Sequence, residues 1–242
     1  HLHGGGMMIL EAANPMYRAW RDRLAARGTV VVGVEFRNGA GKLGPHPFPA
    51  GRDDCVSALE WMHENRAALG IGSITVSGES GGGNLTLATA LEANATGRMG
   101  AIDGIYAMCP YISNAWAGSN KDLELPSLWE NDGYFLDCEM MGAMGMAYDP
   151  QGAHRGDARC WPYYATVDDV AGFPPTVISV NELDPLRDEG LAFYRTLLSA
   201  GVRARGRIVA GTTHAGDLMF PVSAPDLAEN TLDDIVAFAR SL

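Results

Sequence analysis

Ser80 stands in Gly78-Glu79-Ser80-Gly81-Gly82, and the chain opens with His3-Gly4-Gly5-Gly6 after two residues. A serine hydroxyl is a weak nucleophile until it is held where a base can take its proton. A sharp strand-to-helix turn does this by pushing the hydroxyl clear of the strand end. Such a turn is strained and its flanks crowd neighbouring backbone, which accounts for the small residues Gly78 and Gly82. The His-Gly-Gly-Gly run suits a second task in the same reaction. Its backbone N–H groups can be aimed at an oxygen that becomes negative. Together the two motifs point to acyl transfer through a serine. A Walker-type phosphate loop would need Gly-Lys-Ser/Thr, and no lysine follows Gly81-Gly82-Gly83. The glycine spacing is also a weak match to a dinucleotide loop.

A nucleophilic serine needs a base, and the base needs an orienting acid. His154 and His214 are the histidines that follow Ser80. His154 lies among Gly152, Arg155 and Gly156 and reads as a loop residue. His214 follows an apolar run at 203–209 and the loop Ala210-Gly211-Thr212-Thr213, and it precedes the last helix, so it is the expected base. Four carboxylates lie just past the preceding strand: Glu182, Asp184, Asp188 and Glu189. Asp188 and Glu189 fit a first helical turn. Asp184 precedes Pro185, which favours an extended conformation in the loop. Spacing favours Asp184 and keeps Glu182 open. The expected oxyanion donors are the N–H groups of Gly5, Gly6 and Gly81, with His3 anchoring the loop through a side-chain hydrogen bond.

These residues require elements to carry them. Apolar spacing predicts helices over 15–27, 52–69, 84–95, 187–200 and 225–241. Strands are expected at 29–36, 74–77, 102–109, 176–180 and 203–209, with a Gly/Pro-rich loop over 37–49. The alternation implies an α/β fold: a mostly parallel sheet with helices on both faces. The interval 112–172 breaks the rhythm and is longer than a crossover needs. It carries a helical stretch at 137–148 and is expected to form an inserted helical cap. The catalytic core is then 1–111 with 173–242. Trp116, Tyr134, Phe135, Met140 and Met144 are candidates for the pocket wall, although each also suits ordinary packing.

A formal net charge of −11 argues against a nucleic-acid or anionic-membrane partner. No apolar run approaches the ~18 residues of an integral membrane segment. Cys55, Cys109, Cys138 and Cys160 show no Cys-x-x-Cys spacing and read as buried free thiols; no metal constellation is apparent. The oligomeric state is not legible. The cytoplasm is the expected location.

The motifs resemble those of the hormone-sensitive-lipase family of α/β-hydrolases, bacterial branch. The resemblance rests on His3-Gly4-Gly5-Gly6, Pro45-His46-Pro47-Phe48-Pro49-Ala50 with Asp53-Asp54, Gly78-Glu79-Ser80-Gly81-Gly82-Gly83-Asn84, and 181–190. It extends over essentially the whole chain. It implies the α/β-hydrolase fold and a serine carboxylesterase with no cofactor, acting on small-molecule esters of short to medium acyl chains. It also selects Asp184 over Glu182. A lactonase or amidase with the same triad, or a non-catalytic ligand-binding protein on this fold, are the alternatives. Two departures stand out. Family members carry His-Gly at the base, where this chain has His214-Ala215-Gly216. They also have strands and cap helices before the oxyanion loop, including a central strand between those at 30–36 and 74–77. N-terminal strands are therefore expected to be missing from this chain. The gene is expected to continue upstream by roughly 80–120 residues, and residues 1–242 alone to be insoluble or inactive.

Overall fold

The computed structural model describes residues 1–116 and 124–242. The first helix, α1 (Pro15–Ala25), starts at a proline and is capped by Asn14, whose Oδ1 accepts the Met16 N–H at 3.0 Å. It buries Tyr17, Trp20 and Leu24. Helix α2 (Ala50–Glu64) is followed by the single turn α3 (Arg66–Leu69), which closes on left-handed Gly70. Strand β1 (Thr75–Glu79) runs through Ser80 into α4 (Gly81–Ala95), and β2 (Gly104–Met108) follows. The 112–172 interval holds α5 (Ser127–Glu130), α6 (Cys138–Tyr148) and α7 (Val167–Val170). The chain then returns through β3 (Thr176–Leu183), α8 (Arg187–Ser199), β4 (Ala204–Thr213), α9 (Gly216–Met219) and α10 (Pro225–Arg240).

The four strands are parallel and lie in the order β1-β2-β3-β4. Alternate residues of β2 face opposite sides, as strand geometry requires. Ile105 and Ala107 pack with Leu85 and Leu87 of α4 and Phe193 of α8. Tyr106 and Met108 join Trp20 of α1 and Leu232 and Ile235 of α10 on the other face. Helix α4 is buried on nearly all sides, which explains its apolar composition without an amphipathic stripe. All four cysteines are free and buried. Among the described residues, no helix is long and apolar enough to cross a membrane.

Four expectations need correction. The run 29–36 is not a strand: among the described residues only Val34 bridges, to Leu2, and Leu2 also bridges Gly78 of β1. A β-prone sequence becomes a strand only where a neighbour offers a ladder. Here a cleft of about 370 Å³ lies between 29–32 and the Thr75–Ser77 side of β1. The helix expected over 52–69 breaks at Asn65, and α4 begins at Gly81 rather than at residue 84. Strand β4 continues through the expected loop 210–213, beside an irregularity in its pairing at Asn181 and Leu183. Part of the 112–172 interval, residues 117–123, lies outside the described residues.

The α8 packing yields a stability expectation. Phe193 is 1% exposed against the sheet, whereas Leu198 on the same helix is 47% exposed. Phe193→Ala should lower unfolding free energy by about 3–5 kcal/mol. Leu198→Ala should change it by no more than ~0.5 kcal/mol. Urea denaturation of the two variants measures the difference.

Candidate active site

Ser80 adopts φ 58°, ψ −121°, a left-handed backbone that a residue with a Cβ holds only under constraint. Three hydrogen bonds supply the constraint. Its N–H donates to Met108 O at 3.0 Å, and its carbonyl accepts the N–H groups of Asn84 and Tyr111, each at 3.0 Å. The flanking glycines are required sterically. A Cβ on Gly82 would lie 2.1 Å from Leu2 O, and one on Gly78 would lie 2.5 Å from Gly82 O. At Gly81 a Cβ would lie 2.8 Å from Gly6 N. The serine turn and the His-Gly-Gly-Gly loop therefore interlock backbone to backbone.

The loop is fixed from both sides. His3 Nδ1–H donates to Gly4 O at 2.8 Å, while its ring stacks on Phe36 with centroids 4.2 Å apart. Burial lowers the His3 pKa, which keeps the ring neutral in this structural role. The Gly4 N–H donates to Glu79 Oε1 at 2.7 Å, and His1 Nε2 lies 2.9 Å from Glu79 Oε2. Sequence reasoning treated Glu79 only as the spelling of a motif. It is a buried carboxylate that ties the loop to the position next to Ser80. Gly5 and Gly6 have positive φ, 107° and 62°. Among the described residues their N–H groups have no protein acceptor. Gly81 is the first residue of α4, where an N–H has no intrahelical partner.

His214 follows β4. Its Nδ1 is hydrogen-bonded to Asp184 Oδ2 at 2.8 Å, and both residues are buried. The other Asp184 oxygen accepts the Leu186 N–H at 2.9 Å. Burial opposes a charge on His214, but the Asp184 carboxylate and the Cys109 thiol outweigh it and raise the imidazole pKa well above its ordinary value. Burial pushes the Cys109 thiol up in turn. The donor atoms of Cys109, Asp184 and His214 lie within 4.8 Å of one another, a grouping that the cysteine spacing does not reveal.

The other carboxylates are engaged elsewhere. Glu182 Oε2 accepts the Gly211 N–H at 2.7 Å. Asp188 pairs with Arg187 and caps Ser127. Glu189 is buried and accepts the Ile112 N–H at 2.6 Å; burial raises its pKa to about 8. His154 packs against Phe48, with ring centroids 4.8 Å apart.

Two asparagines escaped sequence reasoning. Asn181 Oδ1 accepts the Ala215 N–H at 3.0 Å, and its Nδ2 donates to Asp217 at 3.0 Å, fixing the loop behind His214. Ala215 holds φ 50° there, and a Cβ on Gly216 would lie 2.0 Å from Thr212 Oγ1. The departure from His-Gly is thus absorbed by an alanine in left-handed backbone, a strain of about 1–2 kcal/mol. Asn131 Nδ2 donates to the carbonyls of Glu182 and Asp184, each at 3.1 Å, and so joins the 112–172 interval to the acid's loop. Neither residue sits in a motif with its partners, so no local signal marks it.

Ser80, His214 and the glycines Gly4, Gly5 and Gly6 line one cavity of about 200 Å³. Its remaining wall is mostly apolar and includes Leu10, Phe135, Met140, Met144 and Met219. Of the wall candidates read from sequence, Phe135, Met140 and Met144 are on it. Trp116 is instead fully buried against Tyr111, and Tyr134 is exposed away from it. The larger cleft beside 29–32 contains none of the three groups Ser80, Asp184 and His214.

Known proteins resemble this chain in sequence and in fold. A family profile described as α/β-hydrolase fold matches residues 1–217. Carboxylesterase NlhH of Mycobacterium tuberculosis is 33% identical over an alignment of 250 residues covering 100% of this chain and 73% of that protein. Esterase LipI of the same organism is 31% identical, covering 84% of this chain and 60% of its own length. Among solved structures, brefeldin A esterase, a bacterial homologue of human hormone-sensitive lipase, superposes with a TM-score of 0.95 at 50% identity. That match covers 98% of this chain and 66% of the other. Esterase Est22 gives a TM-score of 0.90 at 43% identity, covering 98% and 70%. The resemblance to the hormone-sensitive-lipase family is borne out, and the chain belongs to the α/β-hydrolase fold family.

Proposed function

We propose that this chain carries the catalytic core of a carboxylic-ester hydrolase working through a serine acyl-enzyme. The observation that carries the reading is the buried His214–Asp184 pair, 2.8 Å apart, opening on the same cavity as Ser80. With Nδ1–H given to Asp184, the free lone pair of the imidazole is on Nε2. Nε2 takes the Ser80 proton as Oγ attacks the ester carbonyl carbon. Negative charge collects on the carbonyl oxygen, where the N–H groups of Gly5, Gly6 and Gly81 stabilise it. Each such donor lowers the barrier by about 3–4 kcal/mol. The tetrahedral intermediate collapses by breaking the bond to the alkoxy oxygen, and His214 returns its proton to the departing alcohol. Water then repeats the sequence on the acyl-enzyme. His214 takes a water proton, the hydroxide adds to the carbonyl, and the proton goes back to Ser80 Oγ as the acid leaves. No step calls for a metal or an organic cofactor.

The apolar wall and the small cavity favour neutral esters with short to medium acyl chains. Residues 112–172 act as the cap, supplying Phe135, Met140 and Met144 to the pocket. The same machinery would open a lactone or an activated amide. A binding protein on this fold has no use for the buried His–Asp pair, so the ester reading is preferred. A panel of p-nitrophenyl esters, lactones and anilides separates the three.

Three outcomes follow for the enzyme. Ser80→Ala should lower ester turnover by about 10⁶-fold without altering the unfolding transition; turnover retained in that variant contradicts the assignment. Asp184→Asn should cost about 10⁴-fold in kcat, while Glu182→Gln and Asp188→Asn cost far less. A larger loss in Glu182→Gln would reverse the choice of acid. The third concerns pH. The base works as neutral imidazole, so activity should rise with pH as His214 loses its proton. Because Asp184 raises the pKa of His214, the inflection should lie above the ordinary ~6.5. It should move to lower pH in Asp184→Asn, where the carboxylate no longer favours the charged ring. A pH–rate profile of both proteins reads the shift.

A further inference from the structure

Phe135 has φ 73°, the left-handed backbone that glycine adopts freely and a bulky side chain resists. Phe135 is 50% exposed, so ordinary core burial does not account for a phenylalanine there. The ring nevertheless lines the cavity that holds Ser80 and His214. Strain of this kind persists only where surrounding structure over-determines it. Here the surroundings are on both sides. Asn131, four residues earlier, is bonded to the carbonyls of Glu182 and Asp184. On the other side, Gly133 N–H donates to Leu136 O at 2.9 Å, and Cys138 N–H donates to Asp132 Oδ1 at 2.9 Å, fixing the turn to the start of α6. The ring meets Phe220 edge-on, with centroids 5.7 Å apart and planes at 86°. Phe220 follows α9, just beyond His214.

We propose that Phe135 is a specificity-determining residue: carried on a turn that Asn131 anchors to the loop of Asp184, and edge-on against Phe220, it closes one wall of the pocket and limits the length of the ester group accepted. The inference rests on the ester-hydrolase reading and deepens it. The cavity, at about 200 Å³, is smaller than the roughly 300–1,000 Å³ that hold drug-sized ligands. The favoured substrates are therefore uncharged esters with a short group on this side. The methionines Met140 and Met144 also line the cavity. Being flexible, they adapt to small changes in shape but do not set a hard limit.

The test uses Phe135→Gly, because glycine suits the left-handed backbone and the variant should fold as well as the parent. Rates are measured on p-nitrophenyl esters from acetate to decanoate. The parent should favour acetate and butyrate. Phe135→Gly should raise the octanoate-to-acetate ratio of kcat/KM by about 10-fold or more, the scale of a lost methylene-sized discrimination. Its melting temperature should be equal or higher. Tyr134→Ala, the exposed neighbour off the cavity, should leave the ratio unchanged. Three results would overturn the proposal: the parent's length profile in Phe135→Gly, the same shift in Tyr134→Ala, or a parent that cleaves octanoate as well as acetate. A parent expressed from its full-length gene that cleaves no ester at any length would instead bring down the ester reading, and this inference with it.

Discussion

The structure turns on a steric fit between two backbones far apart in sequence. The space that a side chain at residue 82 would fill is occupied by the carbonyls of Leu2 and His3. That contact is possible only between chains without a Cβ on the helix side. It brings the first turn of α4 against the opening loop, and it sets Gly81 beside Gly6. Every later feature of the site depends on this approach. Ser80, held in a left-handed turn, then lies against a loop whose Gly5 and Gly6 N–H groups have no protein acceptor among the described residues. Glu79 secures the arrangement by bonding to Gly4, so the residue before Ser80 also holds the loop opposite it.

The sheet positions the rest. Parallel strands deliver their carboxyl ends to one rim, where loops can carry chemistry on a rigid support. Asp184 leaves β3 and His214 leaves β4, two adjacent strands, so a 2.8 Å hydrogen bond joins residues 30 positions apart. The pairing irregularity at Asn181 and Leu183 lies just before the acid. Irregularities of this kind re-aim side chains beside active sites. Here Glu182 turns toward Gly211 and Asp184 toward the histidine. Asparagines complete the rim, Asn181 behind His214 and Asn131 behind Asp184.

What could be read in advance follows from the same physics. The serine turn and the glycine loop were legible because backbone crowding dictates residue type at fixed local spacing. The alternation of strands and helices was legible through periodicity, and the two faces of β2 agree with it. The choice between Glu182 and Asp184 was not settled by spacing, because it depends on where the strand pairing slips. The run 29–36 differs from expectation because β propensity describes a tendency to pair, and among the described residues only Leu2 bridges to it, at Val34. Asn131, Asn181 and Glu79 act through single long-range hydrogen bonds, which leave no periodic trace in a sequence.

The central claim is that Ser80 becomes acylated by substrate at a site prepared by backbone contacts. The most direct measurement is rapid-quench mass spectrometry of the protein mixed with a p-nitrophenyl ester, followed by peptide mapping. The account predicts a transient acyl adduct on the peptide containing Ser80, formed at the rate of the p-nitrophenol burst and lost at the rate of turnover. An adduct on any other residue, or a burst with no covalent intermediate, would contradict it.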